Sequence, residues 1–336
     1  MTSPRRSRLL ASTFTAALLA LLGCSSGESG STSTSTTGSS STAGAGGAGT
    51  TSGAGGGATT GTGGSTTGSG GSMVIGGDRP VTMHVSPKYD PSKPAPLLIL
   101  LHGYGATGTI QEDLYFHLKK VTDERGYVYA VADGTKDATG KQFWNATDAC
   151  CGFGSTVDDS GYLSSVIDQI KAQYTIDPKR VYFVGHSNGG FMSYRMACDH
   201  ADQIAAIVSL AGATFSDDSK CKPTEPVAVA EIHGDMDETI AYGGSNVVGF
   251  TFPGAVKTTE LWAAHDGCDL TTEAGAPKDL DSGLAGAETS VAIYGKGCKP
   301  GGHVELWTIA GGKHIPNVTD DFRTSVIDFL DAHPKP

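Results

Sequence analysis

Short runs of consecutive apolar residues recur along the chain, and helix-like patterns lie between them. The strand-like runs are 81–85, 97–101, 127–132, 181–184, 206–210, 227–232 and 304–309. Several of them are apolar at every position, which is typical of strands covered on both faces. Strands alternating with helices in this way predict a doubly wound α/β domain with a mostly parallel sheet, whose functional sites gather at the carboxyl ends of the strands.

Two helical patterns are clearest. Apolar residues at helical spacing between positions 163 and 174 predict one helix, with Asp158 or Asp159 placed to cap its start and Asp177-Pro178 to end it. A last amphipathic helix is expected after Thr319.

The first 72 residues differ in composition from the rest. Three arginines precede an apolar run from Leu9 to Leu22, which is too short for a permanent membrane span and predicts an export signal. The run ends in Leu-Leu-Gly-Cys24, which resembles the lipobox of bacterial lipoproteins, where the cysteine carries the lipid. Residues 25–72 contain only Ser, Thr, Gly and Ala apart from Glu28, so they predict a disordered tether spanning roughly 40 Å.

Three parts are therefore expected: a lipoprotein signal over 1–24 with lipidated Cys24, a linker over 25–72, and a folded domain over 73–336. Residue 25 is Ser, whereas the retention signal of inner-membrane lipoproteins has Asp there. We expect an exported lipoprotein at the outer membrane or cell surface, or one released outside the cell. The lipid is the only membrane contact expected.

The charge balance excludes one class of partner. The whole chain has a net charge of −11, and leaving out the three arginines and one glutamate of the first 72 residues makes it about −13. Such a surface repels phosphate backbones, and no Lys/Arg cluster offsets it. Nucleic-acid binding is not expected.

The most informative motif is Gly185-His-Ser187-Asn-Gly189, which lies between a strand-like run and a helix-like pattern. A G-x-S-x-G motif in this context forms a sharp turn that pushes the serine hydroxyl out of the sheet, and small neighbours relieve the crowding. Ser187 is the candidate nucleophile.

A serine hydroxyl needs a histidine to accept its proton and a carboxylate to orient that histidine. In this architecture the expected order is serine, acid, histidine. Asp235 and Asp237 both follow the strand-like run that ends near residue 232, and His314 follows the run 304–309. The residues alone leave the choice between the two aspartates open.

The other histidines are placed less well for the role of base. His186 is expected to point away from the serine across the turn, and His303 lies at the wrong end of its strand. His102 and His233 precede glycines at strand ends, where a hydrogen bond supporting a loop is the simpler use.

The oxyanion of a tetrahedral intermediate needs two backbone donors, one of them from the residue after the nucleophile. That residue is Asn188. The second is expected from the loop after the run 97–101, where we assign the Tyr104 amide with Gly103 as the alternative.

These segments together resemble the esterase family that groups polyhydroxybutyrate depolymerases with feruloyl and acetyl xylan esterases, the first carbohydrate-esterase family, which has the α/β-hydrolase fold. The matching blocks are LLILLHGYGATG, FWNATDACCG, VDDSGYLSSVIDQI, DPKRVYFVGHSNGGFMSYRMAC, EIHGDMDETIAYGG, LWAAHDGC and VELWTIAGGKHIPN.

The resemblance assigns Ser187 as nucleophile, Asp237 as acid and His314 as base, and so chooses between the aspartates. This chain departs from the family at Asp235, where a small residue is common. The resemblance also implies that Trp144 lies close to the active site, where it would contact substrate. Phe143, Tyr104, Phe153 and Tyr242 are weaker candidates for the same contact.

Seven cysteines are present, and six remain besides Cys24. An even number outside the cytoplasm favours disulfides, although six cysteines allow 15 pairings. We expect Cys268 to pair with Cys298, and Cys150 and Cys151 to pair with Cys198 and Cys221. No C-x-x-C pair, phosphate loop or dinucleotide fingerprint is present, so neither a metal nor a cofactor is implied.

The expected function is an exported serine esterase that acts on a polymeric substrate through an acyl-enzyme. Feruloyl or acetyl esters of plant polysaccharides are the first expectation, and polyhydroxybutyrate is the second. A peptidase of the same fold is a lesser rival. The rival from another class is a surface lipoprotein that uses the fold only to bind polysaccharide or a partner protein.

Overall fold

A nine-stranded sheet runs through the part of the chain that the computed structural model describes, which is residues 74–152, 154–247 and 250–336. The predicted signal with Cys24 and the predicted linker lie outside the described residues, as does Phe153, so these remain predictions.

Strands and helices alternate as the apolar runs predict. The strands are β1 (Thr82–Val85), β2 (Ala95–Leu101), β3 (Val128–Ala132), β4 (Thr135–Lys136), β5 (Gln142–Phe143), β6 (Ile176–His186), β7 (Ala206–Leu210), β8 (Ala228–Gly234), β9 (Gly244–Val247), β10 (Phe250–Pro253), β11 (Glu273–Ala274), β12 (Thr289–Tyr294) and β13 (Val304–Ile309). The helices are α1 (Gly108–Gln111), α2 (Lys119–Arg125), α3 (Asp159–Gln173), α4 (Asn188–Asp199), α5 (Ala255–His265) and α6 (Asp320–Ala332), and a π-helical turn (Glu112–Phe116) follows α1.

The large sheet has the strand order β1-β3-β2-β6-β7-β8-β13-β12-β11. Its six central strands, from β3 to β13, are mutually parallel, and β1, β12 and β11 add antiparallel edges. Because parallel strands end at the same edge of a sheet, the loops after β2, β6, β8 and β13 meet there. The predicted doubly wound, mostly parallel sheet is confirmed.

Helices cover both faces of this sheet. Along β2, Leu97, Ile99 and Leu101 pack into the core beneath α3, α4 and α5, whereas Leu98 and Leu100 pack into the core beneath α2 and α6. Alternate side chains of a strand point to opposite faces, so a strand buried on both faces is apolar at nearly every position. This requirement explains the continuous apolar runs in the sequence.

Two local predictions differ from the structure. The helix α3 ends at Gln173, and Asp177-Pro178 lies inside β6. Proline has no amide hydrogen for a strand ladder, but the pairing of β2 with β6 shifts register between Ala95 and Leu97, so the ladder is already irregular there. The strand β12 was not predicted, because its sequence, Thr-Ser-Val-Ala-Ile-Tyr, mixes small and polar residues with apolar ones.

The disulfides bear out one predicted pairing and correct the other. Cys268 bonds to Cys298, as expected, and Cys198 bonds to Cys221. Cys150 and Cys151, however, bond to each other.

The reason for this correction lies in α4. Cys150 Sγ lies 3.7 Å from Asn188 Nδ2 at the start of that helix. Cys198 comes ten residues later, about 15 Å along the axis at 1.5 Å per residue. A disulfide needs Cα atoms within about 7 Å, and the cysteine that bonds to Cys198 is Cys221, whose Cα lies 5.1 Å away, which leaves Cys150 and Cys151 to each other.

Candidate active site

Ser187 occupies the turn between β6 and α4 in a backbone conformation that side chains rarely adopt. Its φ is 54° and its ψ is −119°. Its amide donates to the carbonyl of Leu210 at 2.8 Å, which ties the turn to the end of β7. A non-glycine residue in such a region stores strain of order 1–3 kcal/mol, which the surrounding packing has to hold.

The two glycines of the motif are required by close backbone contacts. A Cβ on Gly185 would lie 2.1 Å from the carbonyl oxygen of Gly189, and a Cβ on Gly189 would lie 2.2 Å from the carbonyl oxygen of Leu101. Both obstacles are backbone atoms that cannot move aside cheaply. The turn can therefore be this tight only with hydrogen at both positions.

The structure brings Ser187, His314 and Asp237 together. His314 Nε2 lies 3.0 Å from Ser187 Oγ, and His314 Nδ1 lies 2.8 Å from Asp237 Oδ2. The serine hydroxyl can donate to Nε2 while Nδ1–H donates to the carboxylate, an arrangement in which the imidazole can accept the hydroxyl proton.

The second aspartate has a different contact. Asp235 Oδ1 accepts from the amide of Gly311 at 2.7 Å, in the loop that leads to His314. Gly234 packs against the same loop, since a Cβ there would lie 2.3 Å from the carbonyl oxygen of Gly312. Asp235 therefore fixes the loop that carries the histidine, and Asp237 contacts the histidine itself.

Asp237 is buried and richly hydrogen-bonded. Its Oδ1 accepts from the amides of Thr239 and Ile240 at 2.8 and 2.9 Å. Burial by itself would raise the pKa of this carboxyl, but hydrogen bonds from His233 and His314, with the charge of the latter and the Ile240 amide, lower the pKa below its usual range. The group is thus held as a carboxylate that accepts hydrogen bonds from the Thr239 and Ile240 amides and from His314, with His233 Nε2 3.4 Å from its Oδ2.

Two loops flank Ser187 where an oxyanion would form. Asn188 is the first residue of α4, and the first amides of a helix have no carbonyl partner within it. On the other side, a Cβ on Gly103 would lie 3.6 Å from Ser187 Cβ, so the loop after β2 passes directly beside the nucleophile. The Gly103 amide already donates to Gln111 Oε1 at 3.2 Å, which argues against the Gly103 alternative.

The side chain of Tyr104 is anchored outside this loop. Its hydroxyl donates to Asp137 Oδ2 at 2.6 Å, and Lys141 Nζ lies 5.4 Å from the ring centre. Both partners belong to the β4–β5 hairpin or its turn, so the hairpin holds the loop at residue 104 in place.

Trp144 does not have the predicted substrate-contacting role. The residue is fully buried, with 0% exposure, so it offers no surface to a substrate. Its Nε1 donates to the carbonyl of His102 at 3.1 Å, and its backbone amide and carbonyl bond both ends of the Asn188 side-chain amide, at 2.7 and 2.9 Å. Trp144 is a support that joins the two loops flanking Ser187.

The weaker aromatic candidates are also restrained. Phe143 is buried, and the Tyr242 hydroxyl shares a hydrogen bond with Thr308 Oγ1 at 2.7 Å. Tyr104 and Tyr242 are half-buried.

His102 has the supporting role that its position predicts. Its Nδ1 lies 2.8 Å from the Gly103 carbonyl oxygen, and its Nε2 accepts from the Gly134 amide at 2.9 Å. It thereby ties the loop after β2 to the loop after β3.

Two site residues were missed at the sequence level. His186 does not merely point away: its Nε2 donates to the carbonyl oxygen of His314 at 2.9 Å, and the two ring centres are 5.0 Å apart. Glu231 lies fully buried within β8 and contacts His233. The available signal was a glutamate in the otherwise apolar run Ala-Val-Ala-Glu-Ile.

Within the described ranges, no group of three or more His, Cys, Asp or Glu side chains is arranged to hold a metal ion. None of the helices in those ranges is both long and apolar enough to cross a bilayer.

A family model for the prolyl oligopeptidase family matches residues 114–245, a range that includes Ser187 and Asp237 but is less than half of the chain. Feruloyl esterase B from Piromyces equi is 33% identical over 230 residues, which is 66% of this chain and 40% of that protein. Putative esterase NocK from Nocardia uniformis subsp. tsuyamanensis is 27% identical over 277 residues, which is 77% of each chain.

A solved structure of an acetyl xylan esterase from Aspergillus awamori aligns with a TM-score of 0.53 at 15% identity, covering 76% of this chain and 97% of that one. The predicted α/β-hydrolase fold is thereby confirmed. The resemblance to feruloyl esterases is confirmed as well by the sequence similarity, although the chain spans less than half the length of feruloyl esterase B.

The burial of His186 predicts a pH effect on stability. Burial lowers its pKa to about 3, and the neighbouring His314 adds to this. An unfolded histidine takes up a proton below about pH 6.5, so the unfolded state binds more protons between about pH 6.5 and 3, and the folded state loses up to about 1.4 kcal/mol per pH unit as the pH falls. His186→Gln keeps a donor for the His314 carbonyl and removes this penalty.

We expect the unfolding free energy of the His186→Gln variant, minus that of the unchanged protein, to increase as the pH is lowered from about 7 to 4. Urea denaturation at several pH values measures both. A difference that stays constant over this range would contradict the burial of a neutral ring.

Proposed function

We propose that this chain is a serine hydrolase that cleaves carboxylic esters through an acyl-enzyme. The observation that carries the proposal is the continuous path from Ser187 Oγ to His314 Nε2, 3.0 Å, and from His314 Nδ1 to Asp237 Oδ2, 2.8 Å. The similarity to feruloyl and acetyl xylan esterases supports ester cleavage as the reaction.

The proposed reaction has two steps. In the first, Ser187 Oγ attacks the ester carbonyl carbon while His314 accepts the hydroxyl proton, and the imidazolium then gives that proton to the departing alcohol. In the second, a water molecule loses a proton to His314 and attacks the acyl-serine, and the imidazolium then returns that proton to Ser187 Oγ as the acid leaves.

The oxyanion formed in each step takes hydrogen bonds from the backbone amides of Asn188 and Tyr104. Asp237 stays ionised, orients His314 and stabilises its charged form. This assignment uses the strained turn, since that turn presents the hydroxyl and the Asn188 amide to the same carbonyl group.

Replacing Ser187 by Ala tests the proposal. The variant loses the attacking oxygen, and we expect hydrolysis of p-nitrophenyl acetate to fall by at least about a thousandfold with the fold unchanged in circular dichroism. A fluorophosphonate probe should label the unchanged protein and not the variant.

Ser165→Ala is a matched control, because Ser165 lies on the outer side of α3 and its hydroxyl contacts only residues of the same helix: it donates to the carbonyl of Tyr162 at 2.8 Å and accepts from Gln169 Nε2 at 3.5 Å. It should keep full activity and labelling. Retained turnover in the Ser187→Ala variant would refute the assignment. An unchanged protein that neither hydrolyses esters nor reacts with the probe would support the non-catalytic binding lipoprotein.

For the substrate class, we propose feruloyl or acetyl esters of plant polysaccharides, with a polyhydroxybutyrate-type polyester as the alternative. The relatives' names support the first class. Two exposed apolar side chains adjoin the proposed triad in sequence: Met236, 59% exposed, beside Asp237, and Ile315, 43% exposed, beside His314. Such side chains suit an aromatic acyl group better than an acetyl group, so they favour feruloyl esters.

Replacing Met236 and Ile315 together by Ser should lower kcat/KM for methyl ferulate about tenfold. About 50 Å² of lost apolar contact at about 25 cal/mol per Å² corresponds to about 1.3 kcal/mol. Release of acetate from acetylated xylan should stay within about twofold, because the acetyl group is too small to cover the same area.

Val256→Ser is the matched control, since Val256 is 44% exposed on α5. Equal losses on methyl ferulate and acetylated xylan would contradict the proposed acyl contact. Faster attack on a polyhydroxybutyrate film than on either polysaccharide ester would favour the polyester alternative, and cleavage of peptides in preference to esters would favour a peptidase.

We also propose that the chain is exported and anchored through a lipid on Cys24, with residues 1–24 as signal and 25–72 as tether. The lipobox-like sequence before Cys24 supports the anchor. Three disulfides fit an oxidising compartment outside the cytoplasm.

Expression in a bacterium that lipidates exported proteins tests the anchor. Labelled palmitate should enter the unchanged protein, which should sediment with membranes, whereas Cys24→Ala should take up no label. Label in the Cys24→Ala variant, or none in the unchanged protein, would exclude this anchor.

A further inference from the structure

A buried pair of ionisable side chains lies behind Asp237 and is not used by the proposed reaction steps. His233 and Glu231 sit two residues apart on β8, so their side chains share one face of the strand. His233 is 1% exposed and Glu231 is 0% exposed. Burying two such groups costs free energy unless they are paired and hydrogen-bonded, so the partners of each side chain have to account for its burial.

Both ring nitrogens of His233 face groups that accept hydrogen bonds. Nε2 lies 2.8 Å from the carbonyl oxygen of Ile240 and 3.4 Å from Asp237 Oδ2. Nδ1 lies 3.0 Å from Glu231 Oε1. A neutral imidazole carries only one N–H, whereas the imidazolium carries two and satisfies both sides.

The second carboxylate oxygen of Glu231 also accepts a hydrogen bond. Tyr194, fully buried on α4, donates its hydroxyl to Glu231 Oε2 at 3.0 Å. An ionised carboxylate accepts at both oxygens, which matches a donor on each side. The chain of contacts therefore runs from Tyr194 through Glu231 and His233 to Asp237.

We propose that His233 is a positioning residue, held as an imidazolium by Glu231, which fixes the Asp237 carboxylate and keeps it ionised while His314 gains and loses its proton. The expected effect of His233 on the reaction rate rests on the proposed esterase function. The protonated state of His233 rests only on the contacts of the β8 side chains. His233 touches neither substrate nor Ser187 in this role, since it acts only through Asp237.

The electrostatics of His233 agree with the geometry, whereas burial raises the pKa of Glu231 and is opposed by hydrogen bonds from His233, Ser209 and Tyr194 and by the charge of His233. Burial alone would lower the pKa of His233, but hydrogen bonds to Asp237 and Glu231 and the charge of Glu231 raise it to about 10. The other ionisable groups facing this cluster are Tyr194 from α4, Tyr242 whose ring centre lies 5.7 Å away, and His314 and His186 beyond Asp237. The neighbouring strand β13 presents Thr308, which is uncharged.

The Asp237 carboxylate oxygen nearest His233 is also the one that receives His314 Nδ1–H. A positive charge on His233 therefore acts on His314 through one shared atom, and the two ring nitrogens are no more than about 6 Å apart by these two contacts. Removing that charge favours the protonated form of His314, because the field that opposed a second cation is lost.

The test is His233→Gln, which keeps an amide donor near the Ile240 carbonyl and removes the charge. We expect kcat for p-nitrophenyl acetate to fall about tenfold with KM unchanged, because the base is less well oriented in the transition state. We also expect the acid-side inflection of the kcat/KM profile to move up by about one pH unit.

A matched control lies on the neighbouring strand. His303 Nε2 contacts Glu305 Oε1 at 2.8 Å, a second histidine–glutamate pair two residues apart, but at the amino-terminal start of β13. His303→Gln should change neither kcat nor the inflection. A merely structural role of His233 would scale the whole profile without moving it, so an unmoved inflection in the His233→Gln variant would overturn the proposal.

A second measurement does not depend on activity or on the folding of a variant. In the unchanged protein, nitrogen NMR of labelled histidine should show both ring nitrogens of His233 protonated at about pH 8, where an unperturbed histidine is neutral. A neutral ring there would overturn the proposal. If the unchanged protein hydrolysed no ester, the proposed function would fail alone, and this spectrum would still decide the state of His233.

Discussion

The backbone of Ser187, held at a positive φ between β6 and α4, is the constraint on which the rest of this structure depends. Strain of this kind survives only where neighbours leave the chain no alternative. Here the Ser187 amide is bonded to the end of β7, and Gly185 and Gly189 are pressed against the turn itself and the end of β2. The sheet therefore supports the turn from both sides, and a loss of register in any of these strands would release it.

The parallel order of the central strands explains why residues far apart in the sequence meet. Ser187 and His314 are separated by 127 positions, yet each follows the carboxyl end of a strand in the same sheet. The loops are then fixed to each other by short contacts, such as Asp235 with the Gly311 amide. Distance along the chain thus has little bearing on the precision of the site, because the sheet sets the positions and the loops adjust only the last few ångströms.

Much of this arrangement could be predicted from the sequence, since strands buried on both faces and a strained glycine-flanked serine leave local signatures. Trp144 was misjudged, because an indole that lines a pocket and one that joins two loops look alike in sequence. The vicinal pair Cys150–Cys151 was missed, because pairing depends on where α4 carries Cys198. The importance of Glu231 and His233 was underestimated for a related reason. The role of a buried ionisable group depends on the groups that it contacts, and here those come from α4 and from the loop after β8.

The side-chain amide of Asn188 has a consequence for anyone who remodels this protein. The Asn188 side chain accepts a hydrogen bond from the Trp144 amide and donates one to the Trp144 carbonyl. The backbone of Asn188 begins α4 beside Ser187. The loop between β5 and α3 is thus held at Trp144, and Arg195 holds it a second time through the Ala146 carbonyl at 3.0 Å. Engineers who exchange the outer part of this loop for a foreign sequence should therefore keep Trp144 and the Asn188 amide that bonds it, because these contacts position the start of α4 beside Ser187.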